Sequence, residues 1–213
     1  MGDTTEGRLH PVSVDLSGLL NPPRLWSRHE VLTTTCVPRS AGLYAWYFRD
    51  VPPVVPTEGC VVHEGFTLLY GGISPKEPPK NGRHPSSQTL FHRIRYHMQG
   101  NAEGSTLRLT LGCLLGLELR RVGSGTRRTF AHREADLSAW MEQQAAVCWI
   151  ETNEPWLIEK TLISSGRLPL NLDQNRQHPF HPVLSELRQA AKRRANELPV
   201  WSANGHRPES GCL

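Results

Sequence analysis

The chain contains a scattered set of side chains of the types that phosphodiester cleavage needs. A hydrolytic water must lose a proton, the pentacovalent phosphate needs positive charge nearby, and the leaving oxyanion needs a proton or a metal ion. Two tyrosines, an arginine with a histidine one helical turn later, a lone glutamate and an asparagine twelve residues after it can supply these groups. The set consists of Tyr44, Tyr70, Arg93, His97, Glu159 and Asn171.

Each member of this set can take one part of that chemistry. Tyr44 or His97 can accept a proton, and Arg93 can neutralise a non-bridging phosphate oxygen. The carboxylate of Glu159 can hold one Mg²⁺ or Mn²⁺ ion that keeps most of its waters. Taken singly, a tyrosine is more often a core aromatic, and Arg95 replaces Arg93 if the helix is two residues out of phase. The hypothesis therefore rests on the whole set in its order.

Two short apolar runs carry the tyrosines. Gly42–Phe48 and residues 67–74 are rich in apolar and aromatic residues and are bounded by Gly or Pro, which favours two adjacent β-strands. Residues 50–65 contain VPPVVP and are predicted to be an insertion between the strands, because proline has no N–H to donate to a central strand. A third strand is predicted at Ala145–Glu151.

Helical patterns carry the other members of the set. Thr89 can cap a helix at Leu90–Gln99 that ends at Gly100, and Arg93 and His97 then share one face. Residues 120–133 are predicted to be a basic loop or hairpin, and the LPLNLD segment that contains Asn171 is predicted to be extended. Further helices are predicted at residues 105–119, 134–144, 155–165 and 182–197.

These elements predict an α/β (α+β) fold. The sheet is expected to be small, mostly antiparallel and three-stranded, with helices flanking it. Residues 1–40 are expected to form an N-terminal arm, and residues 41–175 the catalytic domain. Residues 176–213 are expected to form a C-terminal basic helix and a flexible tail.

Positive charge is concentrated in one part of the chain. Nine arginines and no lysine lie between Arg83 and Arg133, against only two glutamates, although the net charge is only +4. Since a guanidinium group can hold two phosphate oxygens at once, this clustering favours a nucleic-acid partner over a solvated basic face. The arginines expected to contact nucleic acid are Arg95, Arg108, Arg120, Arg121, Arg127 and Arg128.

Cysteine usage and hydropathy predict a cytoplasmic protein with no membrane partner. The five cysteines show no C-x-x-C spacing, and an odd number without pairing logic indicates reduced thiols. The first ten residues are polar, and no apolar run approaches the roughly 18 residues that span a bilayer. No Walker loop, Rossmann fingerprint or G-x-S-x-G box is present.

Five segments follow a known pattern in the same order. GLY at 42–44 and LYGG at 69–72 carry the tyrosines, LFHRIRYH at 90–97 carries the arginine and histidine, and WLIEKTLI at 156–163 with PLNL at 169–172 carries the glutamate and asparagine. In order and spacing these segments resemble the GIY-YIG nuclease superfamily. The second signature departs from the family at Gly71, where isoleucine is usual. The 26 positions between the tyrosines resemble the restriction-enzyme branch more closely than the other branches.

The resemblance implies a metal-dependent DNA endonuclease and a role for each residue. Tyr44 would orient or deprotonate the attacking water, alone or relayed through His97. Tyr70 would contact the scissile phosphate, and Arg93 would stabilise its charge. Glu159 would bind the single divalent ion, Mg²⁺ or Mn²⁺.

The resemblance also implies that Asn171 braces the site. Two alternatives stay open: a nucleic-acid-binding module that kept the fold but lost cleavage, and the same metal and phosphate site acting on RNA or on a substrate other than nucleic acid. The chain is too short for an obvious separate sequence-reading domain. Specificity is therefore expected from residues 74–88, from residues 120–133, or from the partner in a homodimer.

Overall fold

A computed structural model describes residues 15–81, 84 and 86–202. Within these residues the chain forms seven strands and seven α-helices. The strands are β1 (Trp26–Ser27), β2 (Gly42–Phe48), β3 (Val62–His63), β4 (Phe66–Ser74), β5 (Arg120–Val122), β6 (Arg127–Thr129) and β7 (Ala145–Glu151). The helices are α1 (Ser17–Leu20), α2 (Arg28–Thr33), α3 (Leu90–Gln99), α4 (Thr106–Leu114), α5 (Glu134–Gln144), α6 (Glu159–Gly166) and α7 (His181–Glu197).

The central sheet has five antiparallel strands in the order β1-β7-β2-β4-β3. β2 lies in the middle, and all seven of its residues are buried. The predicted α+β class is therefore confirmed, and β2 and β7 begin and end where the sequence predicts. The predicted number of three strands is wrong, because β1 and β3 add one edge strand each. With two residues apiece, these strands are too short to show an alternating pattern.

Helices cover both faces of the sheet. Successive side chains of β2 point to opposite faces, and all of them are buried, so both faces need to be covered. Tyr44, Trp46 and Phe48 point into a large core that also contains residues of α2, α3, α4, α5 and α7. Leu43, Ala45 and Tyr47 point the other way, into a smaller core with α1 and α6. Burial on both faces fixes the register of β2, since a shift by one residue would exchange the two sets of side chains.

Helix α4 is shorter than the Leu-rich pattern of residues 105–119 predicts. Its start is fixed by Ser105, whose Oγ accepts a hydrogen bond from the N–H of Arg108 at 3.1 Å. The helix ends at Leu114 because Gly116 adopts a left-handed conformation with φ +70°. The apolar pattern continues past the helix, so periodicity alone did not reveal its end.

The helix predicted at residues 155–165 is divided into two parts. Pro155–Leu157 forms a 3₁₀ turn, and α6 then begins at Glu159 and ends before Arg167, which has φ +47°. The following segment, predicted to be extended, is a series of turns in which the N–H of Asn171 donates to the carbonyl oxygen of Leu168 at 3.3 Å. These two departures bring the start of α6 and Asn171 to the same side of β4.

The described part of the predicted N-terminal arm contributes one short strand to the sheet and two helices. β1 pairs with β7, and α2 begins with a capping box in which Ser27 and Glu30 hydrogen-bond each other. Residues 1–14 of the arm lie outside the described residues.

The C-terminal segment packs on a hairpin formed by β5 and β6, as predicted for residues 120–133. The N–H of Trp201 donates to the carbonyl oxygen of Arg121 at 2.8 Å, so the chain just after α7 is held against β5. The rest of the predicted flexible tail, residues 203–213, lies outside the described residues.

No helix within the described ranges is both long and apolar enough to cross a bilayer. Cysteines 36, 60, 113 and 148 are free thiols.

Candidate active site

A cavity of about 770 Å³ brings together residues from β2, β4, α3, α6 and α7. Five of the six residues singled out in the sequence line it: Tyr44, Tyr70, Arg93, Glu159 and Asn171. The sixth, His97, lies behind Tyr44 and does not reach the cavity wall. The predicted constellation is therefore a spatial cluster.

Tyr44 occupies its place because the facing strand has no side chain there. It pairs across β2 and β4 with Gly72, where a Cβ atom would lie 2.4 Å from the Tyr44 hydroxyl. That hydroxyl lies 3.0 Å from Nε2 of His97 and accepts a hydrogen bond from Nε of Arg93 at 3.4 Å. Burial is the largest of the effects that raise the pKa of Tyr44, so the resting phenol is protonated.

His97 continues this line of hydrogen bonds into the core. The imidazole is fully buried, and its Nδ1 lies 2.7 Å from Oγ of Ser105, the residue that caps α4. Burial, followed by the charges of Arg93 and Arg108, holds the pKa of His97 well below its usual range. The ring is therefore neutral and has one nitrogen free to accept a proton.

Arg93 faces the cavity with part of its guanidinium group uncommitted. Nη1 donates to the carbonyl oxygen of Gly104 at 2.9 Å, and Nε donates to Tyr44. These two bonds fix the plane of the group, and Nη2 has no hydrogen-bond partner in the described part of the chain. A planar guanidinium held in this way can accept an anion from the cavity.

Tyr70 and Asn171 are placed through β4. The hydroxyl of Tyr70 lies 3.2 Å from Oγ1 of Thr106, the first residue of α4, and burial raises the pKa of the phenol. Asn171 forms two hydrogen bonds with the backbone of Gly71: its Oδ1 accepts from the N–H at 3.0 Å, and its Nδ2 donates to the carbonyl at 2.8 Å. Asn171 thus holds the backbone of the residue next to Tyr70.

The departure from the family pattern at Gly71 also has a packing reason. A Cβ atom at this position would lie 2.8 Å from Cδ2 of Leu162 and 2.9 Å from Cδ1 of Leu168. The side chains at and just after α6 therefore pack directly on the backbone of β4. A larger side chain at position 71 would therefore collide with α6 and with the segment that follows it.

Glu159 is the first residue of α6, and its carboxylate is bonded to a residue that the sequence reasoning missed. Nε2 of Gln174 donates to Oε2 of Glu159 at 2.7 Å. Burial is the largest effect on the pKa of Glu159 and raises it; Asp173 adds to this effect, while Gln174 and Lys76 oppose it. An incoming cation would favour the ionised form of this carboxylate.

The carboxylates at this site could hold a divalent ion only if water molecules supply the remaining ligands. Among the described residues, no group of three or more His, Cys, Asp or Glu side chains gathers to hold a metal. Magnesium commonly uses one or two carboxylates and keeps several waters, and Glu159 with its neighbour Asp173 matches that demand. The sequence did not indicate that the cavity is also lined by Asp173, Gln174 and Lys76. Turns and a loop bring these residues to the cavity, and no periodic pattern marks them.

The six arginines expected to contact nucleic acid have different environments. Arg108 is fully buried, and its Nη2 donates to Oε2 of Glu134 at 2.7 Å, so we leave it out of the proposed contacts. Arg95 donates to the carbonyl oxygens of Val31 and Leu32 at the end of α2.

Three of the remaining arginines hold the end of α7. Arg121 donates to the carbonyl oxygens of Ala195 and Leu198, at 3.1 and 2.8 Å. Arg120 donates to the carbonyl oxygen of Pro199, and Arg128 to the side chain of Asn196. The sixth, Arg127, is exposed. The arginine cluster is therefore largely a set of internal contacts that fasten α2 and α7.

The family model described as the GIY-YIG catalytic domain matches residues 42–190 of the chain. The matched segment begins at the first residue of β2 and ends within α7, so it contains all six residues of the predicted set. Comparison with curated proteins and with solved structures finds no match.

Proposed function

Because the chain belongs to the GIY-YIG family of nuclease catalytic domains, we propose that it is a divalent-metal-dependent endonuclease that hydrolyses phosphodiester bonds in DNA. The observation that carries this proposal is the contact of the Tyr44 hydroxyl with both His97 and Arg93, in the wall of a cavity that Glu159 also lines. This arrangement brings a phenol paired with an imidazole, a guanidinium group and a carboxylate to one space, and metal-dependent hydrolysis needs groups of these kinds.

Tyr44 takes the proton of the attacking water. Since Arg93 already donates to the Tyr44 oxygen, the phenolic proton can pass to Nε2 of His97 while the oxygen accepts a proton from water. This relay requires the His97 tautomer in which Nδ1 donates to Ser105, 2.7 Å away. The water oxygen then bonds to phosphorus as the bond to the leaving oxygen breaks.

Arg93 and Tyr70 bind the phosphate on which this attack takes place. The free Nη2 of Arg93 neutralises a non-bridging oxygen, whose negative charge grows in the transition state. The Tyr70 hydroxyl, oriented by Thr106, donates a second hydrogen bond to the phosphate. Both groups are held before substrate arrives, so little reorganisation accompanies the reaction.

Glu159 would hold the metal ion, and Gln174 keeps its carboxylate in position. A bound Mg²⁺ or Mn²⁺ would supply Lewis-acid stabilisation of the negative charge that develops in the reaction. The choice of DNA as substrate is supported by the spacing of the two tyrosines, which resembles that of the restriction-enzyme branch. The proposed homodimer remains a prediction, since the structure describes one chain.

A cleavage assay across substrate classes tests this proposal. Labelled duplex DNA, single-stranded DNA and RNA of the same sequence are incubated with the protein in Mg²⁺, in Mn²⁺ and in EDTA. Metal-dependent cleavage of DNA is the expected result. Cleavage of RNA alone would move the substrate to RNA, and retardation of DNA without cleavage in either metal would identify a binding module instead.

A further inference from the structure

Arg188 of α7 lines the same cavity as the predicted site residues, although no sequence signature marks it. In the sequence it belongs to a basic run with Lys192, Arg193 and Arg194 that looks like a solvated helix face. The structure separates it from these neighbours, because the other three are exposed and Arg188 is partly buried.

The guanidinium group of Arg188 has no protein partner in the part of the chain that the structure describes. It forms no hydrogen bond and no ion pair there, whereas Arg93 and Arg108 each have several. Its charge is influenced by Asp173, yet the two groups do not form a salt bridge. Because a partly buried cation loses hydration, such groups are normally paired, and the pKa of Arg188 is lowered mainly by burial.

The position of Arg188 relative to the tyrosines indicates what its partner is. The charges of Arg93 and Arg188 both act on Tyr70, whereas Arg93 alone of the two is among the main influences on Tyr44. A phosphate that contacts Tyr70 would therefore lie within the field of two guanidinium groups supplied by different helices. Two arginines can hold separate non-bridging oxygens, which fixes the orientation of the phosphate as well as its charge.

We propose that Arg188 is a further catalytic residue, whose guanidinium group contacts a non-bridging oxygen of the substrate phosphate beside Tyr70. This inference rests on the proposed nuclease function and adds a second cation, from the C-terminal helix, to the site. It also explains why an unpaired charge is kept in a partly buried position: the substrate supplies the missing anion.

Single-turnover cleavage of DNA at saturating protein tests the role of Arg188. Loss of a positioned donor to a developing oxyanion commonly lowers the rate by about 10² to 10³-fold. The cleavage rate of Arg188→Gln is therefore expected to be lower than that of the wild type by this factor, and the rate of Arg188→Lys should be lowered less. Arg193→Gln, which removes the same charge from an exposed position on α7, serves as the control and should cleave at nearly the wild-type rate. Wild-type cleavage by Arg188→Gln would overturn the inference.

Thermal unfolding separates a substrate-binding role from a structural one. Removing an unpaired, partly buried charge should raise the unfolding midpoint of Arg188→Gln, whereas loss of a structural contact would lower it. In EDTA, a short DNA duplex should raise the midpoint of the wild type more than that of the variant.

These measurements do not depend on turnover and distinguish the two proposals. If the wild type does not cleave, the proposed nuclease function fails, while the duplex-induced shift still tests phosphate binding by Arg188. An equal shift in wild type and variant, or a lowered midpoint of the free variant, would overturn the inference about Arg188.

Discussion

At the scale of single residues, the site depends on a hydroxyl that is buried yet in contact with a cavity. Tyr44 is only 1% exposed, and its oxygen has an imidazole on one side and a guanidinium on the other. The neighbouring Tyr47 points to the opposite face of β2, where its hydroxyl donates to the carbonyl oxygen of Leu19 at 2.7 Å. The two tyrosines therefore form a matched pair in which only one has a proposed chemical role.

Replacing each of these hydroxyls separates chemistry from stability. Tyr44→Phe is expected to lower DNA cleavage by at least about 10²-fold, because the proton relay loses its first member. Tyr47→Phe should cost about 1 kcal/mol of unfolding free energy for its lost hydrogen bond and leave cleavage unchanged. Denaturant unfolding and single-turnover rates of both variants check this, and equal cleavage by the two variants would contradict the role of Tyr44.

The buried imidazole of His97 makes stability depend on pH. Since the folded pKa lies well below the unfolded value of about 6.5, the unfolded chain binds a proton first as the pH falls. His97 therefore stabilises the fold above about pH 6.5, and this stabilisation declines below that value by up to about 1.4 kcal/mol per pH unit. In His97→Gln this contribution is absent.

Unfolding free energies of the wild type and His97→Gln between pH 7.5 and 5 measure the effect directly. The difference in unfolding free energy between the wild type and His97→Gln should shrink as the pH falls. The control is His29→Gln, which changes a histidine at an exposed position of α2. A difference between wild type and His97→Gln that stays constant over this range would show that His97 does not titrate in this way.

The six signature residues were identifiable as candidates in the sequence because a linear motif records order and spacing. Gln174 and Arg188 were not, because their access to the cavity depends on how the turns after α6 and the helix α7 fold back over β4. For the same reason, the internal role of Arg108 was invisible. Nothing in the sequence around Arg108 shows that its side chain is buried or that it pairs with a glutamate 26 residues later.

At the scale of elements, Arg108 joins three helices. Its guanidinium donates to Glu134 and Ser138 of α5, and to the carbonyl oxygens of His97 and Met98 in the last turn of α3. Since His97 and Ser105 flank this contact, the buried pair also holds the elements that orient the imidazole. The helix α4 that carries Arg108 is thereby fixed between α3 and α5.

Breaking this ion pair should destabilise the fold strongly. Arg108→Ala leaves the carboxylate of Glu134 without its partner and is expected to cost about 3–5 kcal/mol of unfolding free energy. The exposed Arg127→Ala, in the neighbouring hairpin, should change stability by less than about 0.5 kcal/mol. Urea unfolding of both variants tests the assignment, and a stable Arg108→Ala with weakened DNA binding would restore the nucleic-acid role first predicted for it.

Element boundaries were predictable wherever local signals agreed with packing. α3 begins after Thr89 and ends before Gly100, and α5 spans residues 134–144 as the pattern indicates. The ends of α4 and α6 were not predictable, since a left-handed Gly116 and the turn at residues 155–157 interrupt apolar patterns that continue beyond them.

At the scale of the whole molecule, most of the arginines expected to contact nucleic acid are used within the fold. The net charge is +4, but the guanidinium groups of Arg95, Arg108 and Arg121 donate to acceptors inside the chain. The N–H of Arg128, the residue after the exposed Arg127, donates to Oε2 of Glu103 in the cavity wall. Of the six arginines expected to contact nucleic acid, Arg127 is the one that is exposed.

The salt dependence of DNA binding measures this distribution. Arg127→Gln should weaken binding and reduce the slope of log K against log salt by about 0.9, as expected for one lost phosphate contact. Arg95→Gln should leave the slope unchanged, since its guanidinium is bonded to α2. Titrations of a short duplex in EDTA at several salt concentrations provide the slopes, and an equal reduction in both variants would contradict the internal assignment of Arg95.

The most direct test of the central claim, metal-dependent phosphodiester hydrolysis at the cavity of Tyr44 and Glu159, is cleavage of duplex DNA by Glu159→Gln in Mg²⁺. The change keeps the shape of the side chain and removes the charge that would hold the ion. Glu154→Gln, at an exposed position just before the turn that leads to α6, is the matched control. The account predicts that the wild type and Glu154→Gln cleave in Mg²⁺ and stop in EDTA, while folded Glu159→Gln does not cleave. Full activity of Glu159→Gln in Mg²⁺ would contradict it.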